Sequence, residues 1–323
     1  MRTISENESN KIQVLRGLSI IAVVIIHNLP GGMMQVLWRP FFNFPVGCFL
    51  FLSGMLSDAA RWKPGKRILK ILVPYVIWTF IYVMMSGYNQ LHLVPGAFLR
   101  HLIQGDTVAV MYYVFVYCEL TLLIPLVDKL ARSKYRYLGF VISPLEILVM
   151  RLLPLVLGYE MNSTVRIVME VSCLGWFTYF YLGYMIGNEL LKVNLPTRTL
   201  LLWLVAAVVL QICEGYWYFR MGAGNGGTQT KLSVLLTGTA IILLFYRYMS
   251  SKETPTCQVL KRLGDHSFGI FFSHLAVMVI LLQIPYFSQI PWPVKAIVTL
   301  VLSYCLVAIG RKLLGKSGKL LAF

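Results

Sequence analysis

Charge is what this sequence has least of. Charged residues make up only 13% of its 323 positions, where a soluble chain carries about a quarter. Acidic residues are scarcer still, 13 against 29 lysines and arginines. No polar stretch is long enough to form a separate soluble domain, so residues 1–323 read as one membrane-embedded domain. The six cysteines (Cys48, Cys118, Cys173, Cys213, Cys257 and Cys305) form no CxxC pair. That argues against a disulfide framework or a cysteine metal site and for small apolar packing residues. No HExxH or other spaced His/Asp set supports a metal. The glycine-rich run MGAGNGGTQTK at 221–231 lacks the GxxxxGK[ST] pattern of a nucleotide loop. It reads instead as a flexible turn or a lid over an external cleft. No A-x-A cleavage site follows the first apolar run, so the first helix is expected to stay in the mature protein. No internal repeat stands out of the kind that builds the inverted halves of secondary transporters.

Apolar sequence is what the chain has in abundance. Hydrophobic residues make up 58%, and the mean hydropathy is +0.71. Runs long enough to cross a bilayer, about 17–25 residues, recur throughout. They predict an all-α, polytopic membrane protein of about ten helices, near 13–30, 41–58, 68–86, 107–127, 137–157, 164–187, 199–220, 231–250, 267–285 and 291–313.

The net charge of +16 is distributed as a membrane protein distributes it. With ten spans and a cytoplasmic start, 22 of the 29 lysines and arginines fall in segments on the inner side. This bias follows the positive-inside rule and places both termini in the cytoplasm. The excess then faces anionic lipid headgroups or an anionic cytoplasmic ligand. It points away from nucleic acid as a partner.

Within the first apolar run, VLRGLSIIAVVIIHNL, two ionisable side chains stand out. Ionisable groups inside a span are costly and usually functional. Arg16 and His27 are eleven residues apart, close to three helical turns, so both leave the same face. The rise between them is about 16 Å. That geometry suits a long anionic ligand with phosphates near Arg16 and a reactive end near His27. A snorkelling arginine and an incidental histidine fit the pair alone equally well.

Other candidates follow from the same reasoning. Ser53-Gly54 near the end of the second span suits either close helix packing or a ligand contact. In the next loop, Lys63, Lys66, Arg67 and Lys70 cluster, and Arg67 and Lys70 share a helix face. They suit either phosphate binding or headgroup anchoring. Glu119, Glu146, Glu170 and Glu214 lie in or near apolar runs, where a carboxylate must be paired, protonated or facing a wet cavity. One of them is a candidate partner for His27 or His274. His92, His101 and His266 read as interfacial.

Several of these segments together resemble acyltransferase family 3, the integral membrane O-acyltransferases that modify cell-surface glycans. The resemblance rests on five elements in family order. They are Arg16-x10-His27, FLFLSG with Ser53 and Gly54, Arg67-Ile-Leu-Lys70 ahead of Pro74, FYLGY with Gly183, and SFGIFFSH from Ser267 to His274. The chain departs from the family pattern in places. Lys70 replaces a second arginine, Phe268 and Phe271 replace tyrosines, and Tyr112 stands at a tryptophan position. Only Glu119 is acidic where the family often has an acidic pair.

The resemblance implies a bacterial inner-membrane enzyme that moves an acyl group, most often acetyl, from cytoplasmic acetyl-CoA or another acyl-CoA to a hydroxyl of a glycan or lipid-linked sugar. In that scheme Arg16, Arg67, Lys70 and Ser53 hold the donor. His27 acts as general base or as an acylated nucleophile. Glu119, Glu170 and His274 are further site candidates. Membrane lipids surround the chain, and no metal is expected. The rival reading is a transporter or flippase for an anionic lipid or glycan, which would use the same cationic mouth and intramembrane polar groups.

Overall fold

The computed structural model describes residues 5–86, 93–158, 162–222, 226–248 and 254–323. These residues are mostly helical, with no strand among them. Six helices or helix pairs are long and apolar enough to cross a membrane. They are α1 (Glu6–Asn28), the pair α2 (Met33–Phe42) and α3 (Pro45–Met55), α4 (Pro64–Met85), α12 (Thr197–Arg220), α14 (Pro255–Leu282) and the stretch headed by α15 (Trp292–Leu314).

Of the expected count of about ten helices, six are thus long and apolar enough to span among the described residues, and the other runs are shorter or interrupted. α13 (Leu232–Tyr248) is apolar but shorter. The apolar run near 107–127 is divided between α6 (Tyr112–Leu122) and α7 (Ile124–Ala131) at Pro125. Proline sits in the first turn of the helix it begins and disfavours helix in the residue before it. The run near 137–157 is broken into α8 (Ile142–Ile147), a π turn over Leu148–Leu152 and α9 (Leu153–Leu157). The run near 164–187 separates into α10 (Ser163–Val171) and α11 (Phe177–Gly187). At that last break the freed amide of Cys173 donates to Glu119 Oε2 at 2.7 Å. Glu119 thus serves as a cap for a broken helix, which accounts for a carboxylate in an apolar setting.

Two helix crossings position the site. Within a membrane the hydrophobic effect does not drive helix against helix, and small residues permit the close approach that does. α1 packs most extensively on α14. A Cβ on Gly17 would strike the Leu260 carbonyl, and one on Gly264 would strike the Gln13 carbonyl. Ten residues beyond these two glycines, along each helix, stand His27 and His274. α3 crosses α11 in the same manner. Gly54 faces the Phe180 carbonyl and Gly183 faces the Phe51 carbonyl, with no room for a methyl group on either. The periphery is apolar and unpacked, with Leu202 and Val205 of α12 and Ile297 of α15 more than 60% exposed.

Candidate active site

Two cavities open along α1. The larger, about 730 Å³, lies at the end of the fold that carries Arg16. Its volume falls within the range of small-molecule sites, about 300–1,000 Å³. Arg16, Ser53, Arg67 and Lys70, brought from α1, α3 and α4, all line it. Two further cations from the far end of the sequence, Arg311 and Lys319, join them. Among the described residues the only carboxylate on this wall is Asp265. Arg67 is held in place from its own side of the cleft. Its Nη1 donates to Ser57 Oγ at 2.9 Å and its Nη2 to Ser53 Oγ at 3.4 Å. Its guanidinium also lies 6.0 Å from the Tyr117 ring centroid. Ser53 therefore acts on the cleft partly through Arg67. The floor and walls are apolar and aromatic, including Phe49, Tyr117 and Phe323.

The smaller cavity, about 340 Å³, holds His27. Tyr112, Trp176, Arg39 and Arg151 line it with Thr228, Gln229 and Thr230. Tyr113 and Phe271 belong to both cavities. Their rings meet with centroids 5.2 Å apart, tilted by 59°. These two side chains form the partition between the cationic cleft and the histidine chamber.

His27 and His274 face each other with ring centroids 5.3 Å apart. His274 is fully buried. Its Nδ1 lies 2.9 Å from the carbonyls of Ile270 and Phe271. Carbonyls only accept, so Nδ1 carries the proton and Nε2 presents a lone pair. That Nε2 is buried with no hydrogen-bond partner among the described residues.

The acidic candidates do not gather at the histidines. Glu119 caps Cys173, and Glu214 Oε2 accepts the Ser233 amide at 2.9 Å. Glu146 Oε2 stands 3.8 Å from Arg151 Nε. The Glu170 side chain and His92 lie outside the described residues. His101 pairs with Asp106 at 2.7 Å, and His266 bonds the Arg262 carbonyl, and neither histidine lines either cavity. Among the described residues no His, Cys, Asp and Glu group could hold a metal.

Sequence reasoning did not single out Arg39, Arg151, Arg311 and Lys319. Arg151 sits in the apolar run LVMRLLP, the same signal that marks Arg16. The glycine-rich segment, read as a flexible turn or lid, is packed down where it is described. Gly226 and Gly227 are buried, and the Lys231 ammonium donates to the Gly226 carbonyl at 2.6 Å.

An apolar helical bundle with buried ionisable groups along one helix, between two cavities, has the build of a membrane-embedded protein that handles small molecules. The acyltransferase-domain family model matches residues 9–311, nearly the whole chain, and the chain belongs to that family, acyltransferase family 3. No curated protein and no solved structure gives a significant match. Family and fold together make this a membrane acyltransferase.

Proposed function

We propose that the protein transfers an acyl group, acetyl in the simplest case, from acyl-CoA in the cationic cleft to a hydroxyl of a glycan or lipid-linked sugar in the His27 chamber. The observation that carries this reading is the pair of cavities on one helix, cationic at Arg16 and polar at His27, which meet at Tyr113 and Phe271. Arg16, Arg67, Lys70, Arg311 and Lys319 supply donors to the nucleotide phosphates. The pantetheine arm runs along α1 and delivers the thioester past the Tyr113–Phe271 partition. On this reading the membrane is a bacterial inner membrane and the cleft and both termini face the cytoplasm, an orientation that the lysine and arginine bias supports. The broken apolar segments complete a ten-pass path on this reading.

Neutral His27 takes the proton of the acceptor hydroxyl as that oxygen attacks the thioester carbonyl. A C–O bond forms, the C–S bond breaks, and the proton passes from His27 to the departing CoA thiolate. An acyl-imidazole on His27, formed first and then attacked by the hydroxyl, gives the same products. His274, with its proton fixed on Nδ1 by two carbonyls, offers Nε2 as an acceptor beside His27. It acts as a positioning residue that sets the working imidazole's orientation.

The test uses purified full-length protein in detergent, acetyl-CoA and a lipid-linked or soluble glycan extract, with CoA release as readout. His27→Ala is expected to lower turnover by roughly 10²–10⁴, the range for loss of a general base. Protein level and acyl-CoA binding should stay near wild type. Wild-type turnover in this variant overturns the assignment of His27, and absence of any CoA release by the wild type overturns the reaction.

A further inference from the structure

Two arginines stand inside the His27 chamber with part of each guanidinium unused. Arg39, on α2, donates from Nη1 to the Gly227 carbonyl at 2.8 Å, and Asn43 Nδ2 donates to the same carbonyl at 3.3 Å. Arg39 Nε is buried and has no hydrogen-bond partner among the described residues. Arg151 donates from Nη2 to the Met169 carbonyl at 3.2 Å, and its Nε is buried without a hydrogen bond among the described residues, Glu146 standing 3.8 Å off as its ion-pair partner. Arg151 projects from the π turn Leu148–Leu152. Such single-turn insertions re-aim side chains and are frequent at functional sites.

The charges around these groups do not balance. Among the described residues no carboxylate lines the chamber. Glu146 offsets part of the Arg151 charge from 3.8 Å, beyond hydrogen-bond reach, and its own Oε2 is unpartnered. Arg39 has no such carboxylate neighbour among the described residues, and Lys231, bonded to the Gly226 carbonyl, adds a further positive charge that Glu214 offsets in part. Burying guanidinium groups without counter-charge is costly. An anion entering the chamber recovers that cost, and the planar fork of arginine is suited to carboxylate and phosphate.

The chamber also has features of a sugar site. Tyr112 and Trp176 stack with centroids 5.9 Å apart and interplanar angle 22°, offering a flat aromatic wall. Thr228, Gln229 and Thr230 add neutral hydrogen-bonding groups to the lining, with the Tyr112 hydroxyl 3.5 Å from Gln229 Oε1. At about 340 Å³ the space is at the small end for a ligand pocket, room for one sugar unit rather than a chain.

We infer that the acceptor is an acidic sugar, whose carboxylate or phosphate is held by Arg39 and Arg151 while the hydroxyl to be acylated faces His27. This inference rests on the acyl-transfer reading for its account of the hydroxyl, and on the chamber alone for its account of the anion.

The experiment therefore separates binding from turnover. Wild-type protein in detergent is titrated with methyl β-D-glucuronide, glucose 1-phosphate and methyl β-D-glucoside, by calorimetry and by thermal shift. The first probe carries a carboxylate on the ring, the second a phosphate at the anomeric carbon as in a lipid-linked sugar, and the third no charge. One of the two anionic probes is expected to bind about 10- to 100-fold more tightly than the glucoside, the scale of hydrogen bonds to a charged group. The preferred probe identifies which anion the chamber reads. Arg39→Gln and Arg151→Gln are each expected to erase most of that preference while leaving glucoside binding unchanged. Equal binding of all three probes by the wild type overturns the inference, whatever the variants do. A variant that loses anionic and neutral probes alike also counts against it, since that pattern marks a structural role. Preference for an anion in a protein that releases no CoA sustains the anion site and defeats the acyl-transfer reading instead.

Discussion

Replacing Arg67 with alanine gives the most direct measure of what the cationic cleft recognises. The side chain is braced by Ser57 Oγ at 2.9 Å and Ser53 Oγ at 3.4 Å, with the Tyr117 ring beneath it. Those contacts occupy one edge of the guanidinium and leave the remaining donors for a ligand. A hydrogen bond to a charged group contributes about 1.5–3 kcal/mol. Loss of the Arg67 contact should thus weaken acyl-CoA binding by roughly 10- to 150-fold at 1.4 kcal/mol per decade. The neighbouring cations Arg16, Lys70, Arg311 and Lys319 remain, so binding should be weakened and not abolished. Calorimetric titration of Arg67→Ala with acetyl-CoA and with acetyl-pantetheine provides the comparison. The truncated donor lacks the nucleotide phosphates, so its affinity should change by less than about threefold. If Arg67 only anchors headgroups, the variant would insert or express poorly and both donors would lose affinity equally. Equal losses would refute phosphate recognition by this residue. A Ser57→Ala control should fall between wild type and Arg67→Ala, because it removes the brace and keeps the charge.

His274→Ala should lower turnover by roughly 10- to 100-fold, by analogy with the loss of a partner that orients a metal-bound imidazole. It should leave acetyl-CoA binding unchanged, because His274 packs on His27 and does not line the cationic cleft, and unchanged turnover would remove it from the mechanism. For topology, single cysteines at Pro64→Cys and Ser317→Cys, in a background with the native cysteines replaced, should label only after the membrane is opened. Gly222→Cys should label in intact cells, and labelling of Gly222→Cys from the cytoplasm alone would invert the proposed orientation.

Much of the cleft was legible in the sequence because two periodicities carry it. The eleven-residue interval from Arg16 to His27 needs only helix geometry, and α1 is one unbroken helix from Glu6 to Asn28. The Arg67–Lys70 step is equally local. What sequence could not supply is long-range juxtaposition. Arg311 and Lys319 join the cleft through packing of the chain's last segment against α4, where Trp78 Nε1 donates to the Leu321 carbonyl at 3.1 Å. His274 meets His27 because Gly17 and Gly264 let α1 and α14 touch backbone to backbone. The expected spans that are not single long helices are interrupted for a local reason. Hydropathy averages over prolines, and Pro125, Pro144 and Pro154 divide runs that are apolar enough to read as continuous. The glutamates misled for another reason. A carboxylate among apolar residues signals function or a freed backbone donor, and Glu119 and Glu214 both turned out to serve backbone amides.

The partition between the cavities explains why two departures from the family pattern fall where they do. Phe271 stands where the family has a tyrosine, and here it packs on Tyr113 without a hydroxyl of its own. Tyr112 stands at a tryptophan position and stacks on Trp176 inside the chamber. Both changes lie at or beyond the partition, and neither touches the arginine-rich end of the cleft. A thioester is hydrolysed by water as readily as it is attacked by an alcohol, so a transferase must keep its donor dry until the acceptor arrives. Two aromatic rings in contact do this simply. On this reading the donor end is fixed by phosphate recognition common to acyl-CoA users. The chamber end, with Arg39, Arg151, Tyr112 and Phe271, is where the acceptor is chosen. On this reading substrate choice and donor choice are separated along a single helix, with Tyr113 and Phe271 between the two cavities.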